Sequence, residues 1–153
     1  MNAYSQYQQN QILSATPEQI LLMLYDGAIR FTRQAMYGLE EENLTIFYHG
    51  IQKSMAIITE FSNSLDREIG GEIAENLDAL YHFMIRELTL ANLHKDIEKL
   101  RVVEKLLVDL RATWGEAVEL NRNQQPPAGI QTTILKESAP VRPAEYVPFS
   151  VSR

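Results

Sequence analysis

The chain has 153 residues, 45% of them hydrophobic, and a formal net charge of −6 without a basic run. That is enough apolar surface for one ordinary domain, and it argues against any partner with a phosphate backbone, so nucleic acid is excluded. The absence of cysteine rules out disulfide staples, thiolate metal sites and cysteine nucleophiles, and it fits a reducing compartment.

The opening segment MNAYSQYQQNQ lacks the basic and apolar regions of a secretory signal. The longest apolar run, Ile20 to Tyr25, is far below the roughly 18 residues of a membrane span, so a cytoplasmic protein with no membrane span is expected. Residues 1–15 form a short N-terminal segment. In it Tyr4 and Tyr7, three apart, share a helical face, and Ile12 and Leu13 precede the first cap.

Thr16-Pro17-Glu18-Gln19 offers an N-cap threonine, proline at the first helical position and glutamine at the third, a strong helix start. From there Ile20, Leu24, Ala28, Phe31 and Ala35 recur at helical spacing to about Leu39, with Asp26 facing water and Gly27 placed to admit a close neighbour. The Glu40–Asn43 stretch EEEN breaks the pattern. A second helix runs from about Thr45 to Leu65 with Phe47, Ile51, Met55 and Ile58 in register, and Gly70-Gly71 separates it from a third. That third helix carries Ile73, Leu77, Leu80, Met84, Leu88 and Ala91. Asp96 caps a fourth, whose Leu100, Val103, Leu107, Leu110, Trp114 and Ala117 follow 3,4 spacing. Four helices of about 20 residues with short connections predict an all-α fold, an antiparallel up-down four-helix bundle over residues 16–122.

Residues 123–153 differ in texture. They hold five of the six prolines and three basic against two acidic side chains, a net of +1 against −7 for residues 1–122. This tail is expected to be disordered or loosely strand-like. Its apolar islands are IQTTIL (130–135) and EYVPF (145–149).

The helices carry more apolar surface than one core consumes. At about 100° per residue, Leu22, Tyr25, Ile29 and Met36 gather roughly 110° from the first helix's inner stripe. On the third helix Ala79, Phe83 and Leu90 lie off the stripe, and on the fourth Val102, Leu106 and Leu120 do. Contiguous apolar surface of this kind marks either an oligomer or a protein whose ligand is an apolar helix face.

Catalytic chemistry finds no support. A di-iron bundle needs two inward Glu-x-x-His pairs, but Ile46, Ala79 and Ala91 stand three residues before His49, His82 and His94. Gly70-Gly71 lacks the lysine and hydroxyl of a phosphate loop. No catalytic, cofactor or metal residue is assigned, and no enzyme is expected.

Four stretches carry a family resemblance: TPEQILLMLYDGAIRF (16–31), LDREIGGEIAENLDALYHFM (65–84), LANLHKD (90–96) and VVEKLLVDLRATW (102–114). Together they resemble the flagellin-specific export chaperones, the FliS family, over about Tyr4 to Trp114; the proline-containing tail is longer than the family's. The resemblance implies an antiparallel bundle that binds the disordered C-terminal segment of flagellin, one to one. Such a chaperone prevents premature polymerisation and helps deliver flagellin to the type III export apparatus through an export gate component. A competing antagonist or regulator is a further partner compatible with it. It also implies that the Tyr4/Tyr7 segment is mobile and covers part of the client site. The expected partner-binding residues are Tyr4, Tyr7, Ile12, Leu13, Leu22, Tyr25, Ile29, Met36, Phe83, Leu90, Val102 and Leu106. The alternative is a self-associating bundle, a structural or adaptor protein without a flagellin client, whose strips form a homodimer when client-free.

Overall fold

The structure is a computed structural model that describes Ala3, Ser5, Gln6 and residues 14–124. Among residues 14–124 it has the helices α1 (Pro17–Glu40), α2 (Leu44–Asn63), α3 (Arg67–His94) and α4 (Ile97–Gln124). The expectations placed on Tyr4, Tyr7, Ile12, Leu13 and the tail beyond Gln124 lie outside the described residues.

Each start is capped by a side chain that accepts from otherwise orphaned amides. Thr16 and Gln19 form the expected capping box, with bonds of 3.0 and 3.1 Å. Asn43 accepts from Ile46, Asp66 from Glu68 and Ile69, and Asp96 from Glu98. Connections of two or three residues then force each helix back alongside its predecessor. Pairs across the seams fix the directions. Gln34 meets His49 while Thr32 meets Ser54. Arg33 meets Glu104 while Asp26 meets Arg111. Both sets run antiparallel. The helices pack in a ring, α1 on α2, α2 on α3, α3 on α4 and α4 on α1.

The core face of α1 differs in phase from the expected stripe. Leu21, Tyr25, Ala28, Ile29, Thr32 and Ala35 are buried, whereas Ile20, Leu24 and Phe31 are half-buried flanks. In α3 the buried set is Ala74, Leu77, Tyr81, Met84, Leu88 and Ala91, so Ala74 and Tyr81 replace the expected Ile73 and Leu80. The shift has one cause: Tyr25, Thr32 and Tyr81 turn inward because their hydroxyls find partners there. Helix α3 also begins before Gly70-Gly71. Gly71, at φ 55° and ψ −128°, kinks it after a first turn capped by Asp66, a backbone conformation open to glycine.

Gly27 is not the close-approach residue. A Cβ there would meet Ile57 Cδ1 at an ordinary 3.5 Å. At Gly50 it would lie 2.6 Å from both Ala35 N and Phe31 O, and at Gly38 2.5 Å from Phe47 N. The α1–α2 pair is therefore in backbone contact at two glycines. One turn beyond Gly50, Thr32 and Ser54 approach at 3.1 Å, each also 2.8 Å from its own helix's carbonyl four residues back.

Candidate functional site

At the centre of the bundle one aromatic from each helix meets. Tyr25 stacks on Phe61 with ring centroids 4.4 Å apart, and Phe61 lies 5.4 Å from Tyr81. Trp114 Nε1 donates to Tyr25 Oη at 3.2 Å, and the Tyr25 and Tyr81 hydroxyls share a bond of 2.7 Å. Burial pushes the Tyr25 hydroxyl up to about 12, against the smaller opposing effect of its two hydrogen bonds. Burial raises Tyr81 as well, reinforced by Tyr25 and Asp78. Both stay neutral through the physiological range, and the cluster is sealed from solvent, which suits a structural joint and gives a reacting group no access.

This corrects the strip expected on α1. Tyr25 is fully buried in that joint and Ile29 is 8% exposed in the core, so neither presents a face to a partner in this conformation. Leu22 and Met36 are half-buried and pack on the core. They flank Asp26 and Arg33, which pair with Arg111 (2.8 and 3.2 Å) and Glu104 (2.5 Å) across the α1–α4 seam. Asp26 faces water, as expected, with its side chain 50% exposed, and from there it also pairs with Arg111 across the seam.

The strips on α3 and α4 come together. Lys99 approaches Glu87 at 3.4 Å and fixes the register of that seam. Phe83 and Leu90 lie one turn either side of Glu87, and Val102 and Leu106 lie one and two turns beyond Lys99, so all four line one groove. Phe83, Leu90 and Leu106 are half-buried, and Val102 is 41% exposed. Counting from the same pair, Leu80 stands roughly level with Leu106 and Ile73 with Thr113. Nearer the end of the bundle at which α4 terminates, Ile73, Ile69 and Leu120 are 52%, 61% and 60% exposed. Ile73 had been counted as core and Ile69 not counted at all. For Ile69 the glycine kink at 71 was the available signal, because residues before it need not keep the helix's phase.

At that end Asp78 ties α2 to both parts of α3. Ser62 donates to it at 2.5 Å, Arg67 pairs at 2.8 Å and His82 stands at 3.4 Å. Partial burial pushes its carboxyl up, but the Ser62 and Arg67 hydrogen bonds and the charges of Arg67 and His82 outweigh it and hold it below the usual carboxylate range. Among the described residues no group of histidine and carboxylate side chains is arranged to hold a metal. No helix of the described residues is long and apolar enough to cross a membrane.

Comparison with known proteins decides the family. The profile of flagellar protein FliS matches residues 1–121. The chain belongs to the FliS family. It is 34% identical over 128 residues to the flagellar secretion chaperone FliS of Bacillus subtilis (strain 168), covering 84% of this chain and 95% of that one. It is 37% identical over 118 residues to the flagellar secretion chaperone FliS of Salmonella typhimurium (strain LT2), covering 76% and 87%. A crystal structure of a bacterial flagellar chaperone superimposes with a TM-score of 0.63 at 20% identity, over 76% of this chain and 95% of that one, and supports the fold. FliS is a family of chaperones, not of enzymes, and the buried, proton-retaining centre described above accords with that.

Proposed function

We propose that the chain is a cytoplasmic export chaperone that holds the C-terminal segment of flagellin, prevents its premature polymerisation and helps deliver it to the flagellar type III export apparatus. The observation that supports this reading most directly is the α3–α4 groove, where Val102 is 41% exposed and Phe83, Leu90 and Leu106 are left half-buried. A client segment that is disordered alone and helical when packed has one apolar face, and a groove between two helices accepts such a face as a third helix. In this reading Phe83, Leu90, Val102 and Leu106 are the primary contacts, with Leu22 and Met36 at the α1–α4 seam reached by a second client helix. Ordering the client consumes part of the interaction energy, which keeps the complex releasable at an export gate component.

The test is titration calorimetry of the full chain against the C-terminal 40 or so residues of flagellin from the same organism, roughly two helices of this size. Saturation near one to one with a negative heat-capacity change is the expected result. No heat, no complex on gel filtration and a concentration-dependent dimer in light scattering would instead return the self-associating bundle.

A further inference from the structure

The α3–α4 groove opens towards the end of the bundle from which the rest of the chain departs. Helix α4 runs to Gln124, and Pro126-Pro127 cannot continue it, since proline clashes with the preceding turn and biases its neighbour to extended backbone. Gln124, the last described residue, is one turn beyond Leu120, and Leu120, Ile69 and Ile73 are the exposed apolar residues towards that end. Within fifteen residues of Leu120 come Ile130, Ile134 and Leu135, followed by Lys136. From Leu120 to Val102 is about 27 Å along α4 at 1.5 Å per residue. An extended chain covers that in about eight residues, so the segment has ample reach.

Charge agrees with the placement. Glu68, Glu72, Glu75 and Glu116 at this end are exposed, and among the described residues none of them forms an ion pair. Residues 125–153 carry a net +1 beside a strongly acidic body. The family profile ends at residue 121, so whatever this segment does is added to the family's common part.

We propose that residues 128–149 fold back along the α3–α4 groove, with Ile134 and Leu135 seated against its apolar wall, and hold the groove until a client displaces them. The competition with client, though not the docking itself, rests on the function proposed above.

The chain has no cysteine, so Ser138→Cys gives a unique attachment point for a nitroxide in the full-length protein. With no client added, the expected result is selective broadening of the amide signals of Phe83, Leu90, Val102 and Leu106, with those of Gly27 and Ile57, which meet on the opposite α1–α2 seam, unaffected. The broadening should vanish when Ile134→Glu and Leu135→Glu are added. No broadening, or equal broadening over all four helices, overturns the proposal. So does broadening transferred to isotope-labelled molecules that lack the nitroxide, which would mean docking between copies. Because this readout needs no client, it fails or succeeds independently of flagellin binding. With client present, the same double substitution should tighten binding: a segment docked nine-tenths of the time weakens apparent affinity about tenfold. Unchanged affinity would remove the segment as a competitor.

Discussion

Gly50 and Gly27 lie on facing helices, yet substitution at each should act with opposite sign. At Gly50 a methyl would lie 2.6 Å from two backbone atoms of α1, which cannot rotate aside, so the helices must separate. Overpacking of this kind costs about 1–3 kcal/mol, exceeding the roughly 1 kcal/mol that alanine returns in helix propensity. Gly50→Ala should therefore lower the urea midpoint. Gly27→Ala meets the end of Ile57 at 3.5 Å and the end of Arg30 at 3.9 Å, both ordinary contacts, and should raise it by most of that propensity gain. The tyrosine hydroxyls are similarly unequal. Tyr25→Phe strands Trp114 Nε1 and the Tyr81 hydroxyl together, costing about 1–3 kcal/mol for each buried group left unpaired. Tyr81→Phe leaves the Trp114 bond intact and should cost less in the same denaturation series. Alkaline pH tests the pair without mutation. The folded Tyr25 value, about 12, lies above the ordinary 10, so above pH 10 the unfolded chain loses protons that the folded one keeps. Stability is fully present below pH 10 and falls as pH rises towards 12; absorbance of ionised tyrosine and helical circular dichroism should then change together for this pair.

Among the elements, α3 is the one whose start is held by more than its own hydrogen bonds. Its first turn precedes the kink at Gly71 and is tied back by Arg67 to Asp78, which also receives Ser62 of α2. Asp78→Ala should raise amide exchange across residues 67–71 and leave the Ser62 hydroxyl, in a side chain only 6% exposed, short of its partner. Since the Asp78 carboxyl is held below its ordinary value of 3.8, its contribution is present above that pH and lost as pH falls further. An acid titration of wild type and Asp78→Ala should converge there. Helix count and order and two of the four caps were legible in the sequence because Thr16, Asp96 and the 3,4 apolar spacing act locally; the caps at Asn43 and Asp66 were not read, and the connection placed at Gly70-Gly71 falls instead at residues 64–66. The rotation of α1 and α3 was not legible either. Ile20, Leu24 and Leu80 outrank Tyr25, Thr32 and Tyr81 on hydrophobicity, and only the partner helices reveal that the latter's hydroxyls are satisfied inside. Of the residues placed off the inner stripe, Val102 is exposed and Phe83, Leu90 and Leu106 are half-buried, while Tyr25 and Ile29 are core.

For the whole molecule, the two sides of the ring differ in how firmly they are joined. The α1–α2 side is locked by backbone contact at Gly38 and Gly50, whereas the α3–α4 side meets through longer side chains and a Lys99–Glu87 approach of 3.4 Å. A surface that accepts another helix belongs on the second side, where side chains can repack without moving backbone. Val102→Glu places a charge on that wall at a position already 41% exposed. It should weaken flagellin binding about tenfold or more, the equivalent of 1.4 kcal/mol, while the melting temperature stays within a degree or two of wild type. A comparable loss of both would show that the groove is needed for the fold itself.

The aromatic joint also makes the molecule its own reporter. Trp114 is the sole tryptophan of the chain, and its indole is buried and hydrogen-bonded to Tyr25 of α1, turned inward rather than onto the groove proposed for the client. Its emission should stay blue and constant while that wall is being filled or emptied, and redden when the four helices part. One fluorescence trace can therefore tell a chaperone that has lost its cargo from one that has lost its shape.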